Sequence, residues 1–160
     1  IVTPMRPFEL ILGKTIPYSL ISIARMVAVT LFAVFWFDIP IVGSALLMFL
    51  GVCLFLLSNL GIGLFVSTIS ATQQQAMLTT FFFIVPFFML SGFVFPIENM
   101  PLVVQWLTYL DPLRYMLVII RGIFLEGVGI SVLWPQYLAL VILGVMVFAG
   151  AVGRFRKRLD

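Results

Sequence analysis

The residues that could carry chemistry in this chain are few and poorly arranged for catalysis. The sequence contains nine basic and six acidic residues, one cysteine and no histidine. The lack of histidine removes the Ser-His-Asp arrangement and the histidine general base, and the scattered carboxylates give no zinc-ligand spacing. The single Cys53 excludes an intrachain disulfide, so its expected role is that of a small apolar residue. We therefore predict that the chain is not an enzyme and binds no metal or cofactor of its own.

One motif imitates a nucleotide site. Gly13-Lys14-Thr15 matches the end of the phosphate-binding loop G-x-x-x-x-G-K-[ST], but Phe8 occupies the position of its first glycine. A long hydrophobic run follows, where this loop would open a soluble helix. We therefore expect that this chain does not itself bind ATP.

Composition indicates a membrane protein. The chain is 63% hydrophobic and 9% charged, with a mean hydropathy of +1.25. A hydrocarbon core of about 30 Å requires about 20 helical residues. Four apolar runs reach that length, and we predict spans at about 16–37, 42–66, 76–95 and 134–152. The expected fold is an all-α membrane protein with four transmembrane helices.

The segment of about residues 96–130 is apolar but carries five charges: Glu98, Asp111, Arg114, Arg121 and Glu126. Its first helical run, LVVQWLTYL, is only about 13 Å long at 1.5 Å per residue. The next helix has a capping aspartate followed by proline at its start, but it meets two charges before it reaches spanning length. A charge at the bilayer centre costs about 3 kcal/mol, so two short helices in the outer half are favoured over a fifth span.

Charge placement predicts the sidedness. With four spans, Arg6, Lys14 and the basic tail at 154–160 lie on one side, which the positive-inside rule assigns to the cytoplasm. Trp36, Trp106 and Trp134 then fall near the outer interface. Because the basic residues are explained by topology, we expect lipid contact and no nucleic-acid partner.

The opening stretch, IVTPMRPFELILGKTIPY, differs from the apolar sequence that follows it. Proline is tolerated at helix starts, so a short helix is predicted to begin near Pro7, with Glu9 close to its positive end. Phe8 and its apolar neighbours at 10–12 leave one side hydrophobic. The helix could serve as a handle for a soluble partner, or it could simply lie on the bilayer surface. No signal peptide is visible, and we expect the chain to be a piece whose beginning lies upstream.

Polar residues inside the predicted spans have two interpretations each. Arg25 either snorkels to the headgroups or faces the interior and hydrogen-bonds Asn59 or Gln74. Ser58 and Asn59, with Gly61 and the glycine at position 63, either allow close helix packing or face a substrate. Pro86 either kinks the third span as a hinge or is tolerated by packing. The many phenylalanines, such as those at 81–83, either form an apolar wall suited to amphipathic substrates or occupy lipid-facing positions.

Several motifs occur in an order that resembles a known family. TPMRPFELILGKTIPY, SATQQQA, LSGFVFPIENMP and YLDPLRYMLVIIRGIFLEG together resemble the C-terminal part of type-2 ABC exporter permeases, particularly the bacterial drug-export subgroup. The resemblance covers nearly the whole chain, and PFELILGK, SGFVFPIENMP and DPLRY are its most specific pieces. Each motif is weak alone, whereas their order and spacing are specific.

The resemblance implies a site, partners and a location. The family's coupling helix, which docks on a separate ATP-binding subunit, would correspond to about 3–14. Its residues here would be Thr3, Pro4, Arg6, Pro7, Phe8, Glu9, Leu10 and Lys14. A re-entrant external hairpin would contain Pro96, Asp111, Pro112, Arg114, Tyr115, Arg121 and Glu126. ATP and Mg would bind the partner subunit, and a second permease half, identical or homologous, would complete the transporter.

The function implied is export of a drug-like, lipid-like or other amphipathic substrate across the bacterial inner membrane, with both ends of this chain cytoplasmic. Two other functional hypotheses remain. A structural or assembly membrane protein would use the opening helix only as a surface element. A secondary transporter fragment would need acidic residues within its spans for ion coupling, and the spans have none.

Overall fold

The structure, a computed structural model, describes residues 6–159, with side chains for Arg6 and for residues 8–154. Thr3, Pro4, the side chain of Pro7 and the side chains of the tail beyond Arg154 therefore lie outside the described residues. Regular structure in the described part is helical throughout, without strands. The α-helices are α1 (Pro7–Phe37), α2 (Ala45–Ile69), α3 (Gln73–Leu90), α4 (Leu102–Thr108), α5 (Pro112–Arg121) and α6 (Ile130–Leu159). A 3-10 turn at Ile97–Asn99 precedes α4, and a π-helical segment at Gly122–Glu126 follows α5.

Four helices are long and apolar enough to cross a membrane: Phe8–Phe37, Ala45–Ile69, Gln73–Leu90 and Ile130–Arg154. They confirm the prediction of an all-α membrane protein with four spans.

The bounds of the last two spans differ from those predicted. The third helix ends at Leu90 rather than near residue 95, because Gly92 adopts a φ of +85° and the Ser91 hydroxyl accepts a bond from the Phe93 amide. The fourth helix begins at Ile130, directly after a glycine-rich turn in which Gly127 has a φ of +63°. In both cases a glycine with positive φ fixes where the helix meets the turn.

Two helices are longer than a bilayer requires. α1 has 31 residues and α6 has 30, which correspond to about 45 Å each at 1.5 Å per residue, against a hydrocarbon core of about 30 Å. Each helix can therefore span the membrane and continue for several turns outside it.

The core forms where α2, α5 and α6 meet. Its buried side chains are Met48, Val52, Met116, Ile119, Ile123, Leu133, Tyr137 and Leu140. α2 and α6 approach so closely that a Cβ on Gly61 would lie 2.9 Å from the backbone nitrogen of Phe148. Small residues allow such close backbone approach between membrane helices. Most large apolar side chains of α1 and α3 remain exposed, as expected for surfaces that face lipid or other membrane helices.

The α1–α2 loop is attached to the π-helical segment. The amide of Gly43 donates a hydrogen bond of 2.9 Å to the Ile123 carbonyl. Glycine is required there, because an added Cβ would lie 2.8 Å from that same carbonyl oxygen. The bond places Ile123 level with the turn between the first two spans, and hence near one boundary of the membrane.

Candidate functional site

The start of α1 and its N-cap contain the described part of the segment predicted to bind a soluble partner, whereas Thr3 and Pro4 lie outside the described residues. Arg6 is the N-cap, and its amide donates a hydrogen bond of 3.2 Å to Glu9 Oε2. Pro7 is the first helical residue, where its missing N–H costs nothing. The Glu9 carboxylate thus satisfies the cap and also lies at the positive end of the helix dipole. Sequence signals and structure agree on where this helix starts.

The apolar residues of this stretch are divided between two directions. The side chain of Phe8 is 62% exposed, and those of Leu10 and Leu12 are 37% and 39% exposed. The side chain of Ile11 is buried, with an exposure of 3%. Ile11 is therefore shielded from solvent, while Phe8 and Leu12, one turn apart, remain exposed. Lys14 is also exposed. The burial of Ile11 was not predicted, because the run of three apolar residues at 10–12 does not reveal which one is shielded.

The predicted opening helix and the first span form one continuous helix. α1 passes through Lys14 and Thr15 without a break and contains Pro17. Proline has no N–H, so the Gly13 carbonyl lacks its usual i+4 donor at that position. Gly13 also has open space beside it, since a Cβ added there would meet no neighbouring side chain or other helix within 4 Å. The helix thus lacks one backbone hydrogen bond between Gly13 and Pro17 but remains continuous from Pro7 into the first span.

Arg25 points to the surface of the described part. It forms no hydrogen bond or ion pair with a described residue. Asn59, one of its two predicted partners, instead donates from Nδ2 to the Phe55 carbonyl at 3.2 Å, and the other, Gln74, is exposed. An inward hydrogen bond from Arg25 to Asn59 or Gln74 is thus not present here.

The small and polar patch of α2 has two separate faces. Ser58 and Gly61 are buried against α6. On α6, a Cβ added to Gly144 would lie 3.2 Å from the Ser58 hydroxyl oxygen. Asn59 and Gly63 are exposed on other sides of the helix. Close packing therefore accounts for Ser58 and Gly61. Pro86 lies inside α3 and is exposed, and its hinge role stays a prediction.

Residues of the DPLRY motif connect α4 to α5 in the hairpin that these two helices form. Asp111 is the N-cap of α5, and its Oδ1 accepts a bond of 2.9 Å from the Leu113 amide. Arg114 donates to the Thr108 hydroxyl and lies 4.1 Å from the centre of the Tyr109 ring. The Tyr115 hydroxyl donates to the Tyr109 carbonyl at 2.8 Å. The motif thus joins the start of α5 to the end of α4 through charged, cation–π and neutral contacts.

Asp111 is buried at 1% exposure, and its second carboxylate oxygen has no hydrogen-bond partner among the described residues. Pro112, also buried, continues the helix from this cap. The remaining hairpin residues Pro96, Arg121 and Glu126 are exposed.

The tip of this hairpin lies beside a large cavity. The cavity has a volume of about 980 Å³ and lies between α2, α3, α6 and the tip. Its wall is mainly apolar and includes Phe65, Phe87, Leu110 and Met146. Arg154 lies at one end, with its guanidinium 5.8 Å from the centre of the Phe65 ring. A largely apolar cavity of this size with one cation can hold a drug-sized amphipathic molecule.

None of the predicted pathway residues Arg25, Ser58, Asn59 and Pro86 lines this cavity, although Phe83 and Phe87 do. The cavity was not predicted, because it is formed by residues far apart in the sequence. Its apolar lining is indistinguishable, in a single sequence, from ordinary span residues.

Within residues 6–159, no group of three or more histidine, cysteine or acidic side chains could hold a metal ion. The four candidate spans, the cavity between helices and the capped hairpin define a multi-pass helical membrane protein.

Comparison with known proteins identifies the family. The ABC-2 type transporter family matches residues 1–125, and this chain belongs to it. The probable multidrug ABC transporter permeases YbhR and YbhS of Escherichia coli (strain K12) are 30% and 39% identical to the chain, over 99% and 95% of its length. The inner membrane transport permease YhhJ of the same organism is 32% identical over 99% of the chain. The resemblance first noted from DPLRY and its companion motifs is thereby confirmed.

The chain spans 41% to 43% of the length of these three relatives. No solved structure matches it significantly.

Proposed function

We propose that this chain is the C-terminal part of a permease subunit of an ATP-driven ABC exporter. In this proposal it couples ATP hydrolysis on a separate subunit to the efflux of a drug-like, lipid-like or other amphipathic substrate. The subunit itself is not catalytic, and ATP and Mg bind the partner. The family and the names of its relatives support the transporter class, and the inner membrane of a bacterium is the proposed location.

The observation that carries the coupling proposal is the continuity of α1. Its length of 31 residues exceeds the span by about ten residues, which is the size of the predicted coupling segment at the Arg6 end. A helix transmits displacement along its axis, so movement of the exposed Phe8 and Leu12 face would be carried into the membrane. In this proposal the exposed Phe8 and Leu12 contact the ATP-binding subunit, whereas Ile11 is buried and takes no part in that contact.

The α4–α5 hairpin is proposed to be re-entrant. α5 has ten residues, about 15 Å of helix, and runs from a tip beside the cavity to Ile123 at the level of Gly43. That distance is about half of the hydrocarbon thickness. The hairpin would close one side of the cavity. Its Asp111 cap and its Arg114 contacts would provide hydrogen-bond partners for polar groups of the hairpin inside the membrane.

The cavity between α2, α3 and α6 is the proposed contact surface for the apolar part of a substrate. A second permease half and the membrane lipids would complete its walls. The alternative functions, assembly protein and secondary transporter, are disfavoured by the family match, since its members are transporters of the ABC-2 type.

A double substitution tests the coupling proposal. Arg6→Gln with Glu9→Gln removes both charges but keeps a side chain at position 9 that accepts the capping bond, so the helix start is preserved. We expect the full-length permease to fold and to enter the membrane, while transport by the complex falls and the ATPase subunit still hydrolyses ATP. Undiminished transport would contradict the role of Arg6 and Glu9.

A further inference from the structure

A second, smaller cavity lies between the end of α5, the π-helical segment and the start of α6. Its volume is about 220 Å³. Three polar side chains line it, those of Arg121, Glu126 and Gln136. Val132 and Leu133 contribute to its apolar wall. The cavity is thus small, and it carries one cation, one anion and one amide.

The polar groups of this cavity lack partners within the described residues. Gln136 Oε1 is buried and accepts no hydrogen bond. Arg121 and Glu126 are five positions apart, at the two ends of the π-helical segment, yet they form no ion pair with each other or with another described residue. A buried acceptor without a donor is unfavourable, so a ligand that donates a hydrogen bond to Gln136 Oε1 would be stabilised in this cavity.

The cavity lies at a membrane boundary. Ile123, two residues beyond Arg121, accepts the hydrogen bond from Gly43 in the turn between the first two spans. Trp134, two residues before Gln136, is exposed, as expected for a tryptophan at the lipid–water interface. The charged groups therefore lie at the depth of lipid headgroups, whichever side of the membrane this boundary faces.

We propose that this cavity binds the headgroup of phosphatidylethanolamine. The phosphate would pair with Arg121, and the primary ammonium would donate hydrogen bonds to the Glu126 carboxylate and to Gln136 Oε1. The ligand is selected by charge complementarity and by its N–H groups. A phosphatidylcholine headgroup has the same charges but no N–H, and phosphatidylglycerol has no cation. The acyl chains would lie along exposed apolar residues beside the cavity, such as Leu125 and Val132.

This inference goes beyond transport and does not depend on coupling to ATP. Its test uses the full-length protein in bilayer discs that contain equal amounts of phosphatidylethanolamine, phosphatidylcholine and phosphatidylglycerol. After transfer to detergent, native mass spectrometry counts the lipids that remain bound. The wild type should retain phosphatidylethanolamine roughly tenfold more than phosphatidylcholine, since hydrogen bonds to charged groups are the stronger kind.

Matched variants locate the site. Glu126→Gln and Gln136→Met should each abolish this preference, while the control Glu98→Gln, an exposed acid at the other end of the same region, should keep it. Glu126 is exposed, so its variant tests the proposal even if Gln136→Met fails to fold.

Three results would overturn the proposal. They are equal retention of phosphatidylethanolamine and phosphatidylcholine, enrichment of phosphatidylglycerol alone, and an unchanged preference in Glu126→Gln. Soluble O-phosphoethanolamine, added to the same protein, tests whether the cavity binds the headgroup as part of a lipid or as a free soluble molecule. Its binding without enrichment of the lipid would assign the cavity to a soluble zwitterion and reject the lipid.

Discussion

The hydroxyl of Tyr137 on α6 donates a hydrogen bond of 2.5 Å to the backbone carbonyl of Leu47 on α2. The Tyr137 side chain is otherwise buried in the core that α2, α5 and α6 share. Gly51 on α2 lies beside this side chain, since a Cβ added to Gly51 would lie 3.6 Å from the Tyr137 hydroxyl oxygen. One side chain therefore joins the two central spans by both apolar contact and a polar bond.

Tyr137→Phe removes the donor and keeps the ring. The Leu47 carbonyl retains its bond within α2, so we expect a loss of only about 1 kcal/mol. Thermal unfolding of the full-length protein in detergent measures the change. Tyr18→Phe, at an exposed site on α1, is the control and should leave the melting temperature unchanged.

Gly61→Ala places a methyl group 2.9 Å from the Phe148 backbone nitrogen and must separate α2 from α6. We expect destabilisation of about 1–3 kcal/mol, as for overpacked cores. Gly63→Ala on the same helix has open space for its methyl group, with no neighbouring element within 4 Å, and is the matched control. The fraction of protein that remains monodisperse after heating distinguishes the two. Equal behaviour of both variants would show that α2 and α6 can separate at Gly61 without cost.

Arg114 and Thr108 are expected to be energetically coupled. The Arg114 guanidinium donates to the Thr108 hydroxyl, which itself donates to the Gln105 carbonyl at 2.6 Å. A double-mutant cycle of Arg114→Gln and Thr108→Val should give a coupling energy of about 0.5–3 kcal/mol. The same cycle with Arg121→Gln in place of Arg114→Gln should give none, because Arg121 is exposed and lies at the opposite end of α5 from Arg114.

The sequence was sufficient for the spans and for the hairpin start, since both depend on local signals. Hydrophobic length marked all four spans, and Asp111-Pro112 marked the start of α5. The α1 boundary was less predictable. The polar composition of the opening stretch predicted a short helix in front of a span at about 16–37, yet one helix continues from Pro7 to Phe37. Pro17 lies inside it, and a proline is tolerated in a membrane helix.

The remaining features depend on contacts between distant residues. The hydrogen bond from Gly43 to the Ile123 carbonyl, the burial of Ile11 and both cavities have no local sequence signal. For the same reason, the α2 patch divides into a packed face at Gly61 and an exposed face at Gly63 only when α6 is in place.

The central claim is that the Phe8 end of α1 contacts an ATP-binding subunit. A photo-activatable phenylalanine analogue at position 8 of the full-length permease, co-expressed with its ATP-binding subunit, tests that contact directly. Position 8 is exposed, so the probe does not disturb packing, and the same probe at Phe93, in the turn that follows the third span, is the control. The account predicts a covalent adduct between permease and ATP-binding subunit from position 8 and none from position 93. Adducts from position 93 alone, or from neither position in a complex that remains assembled, would contradict it.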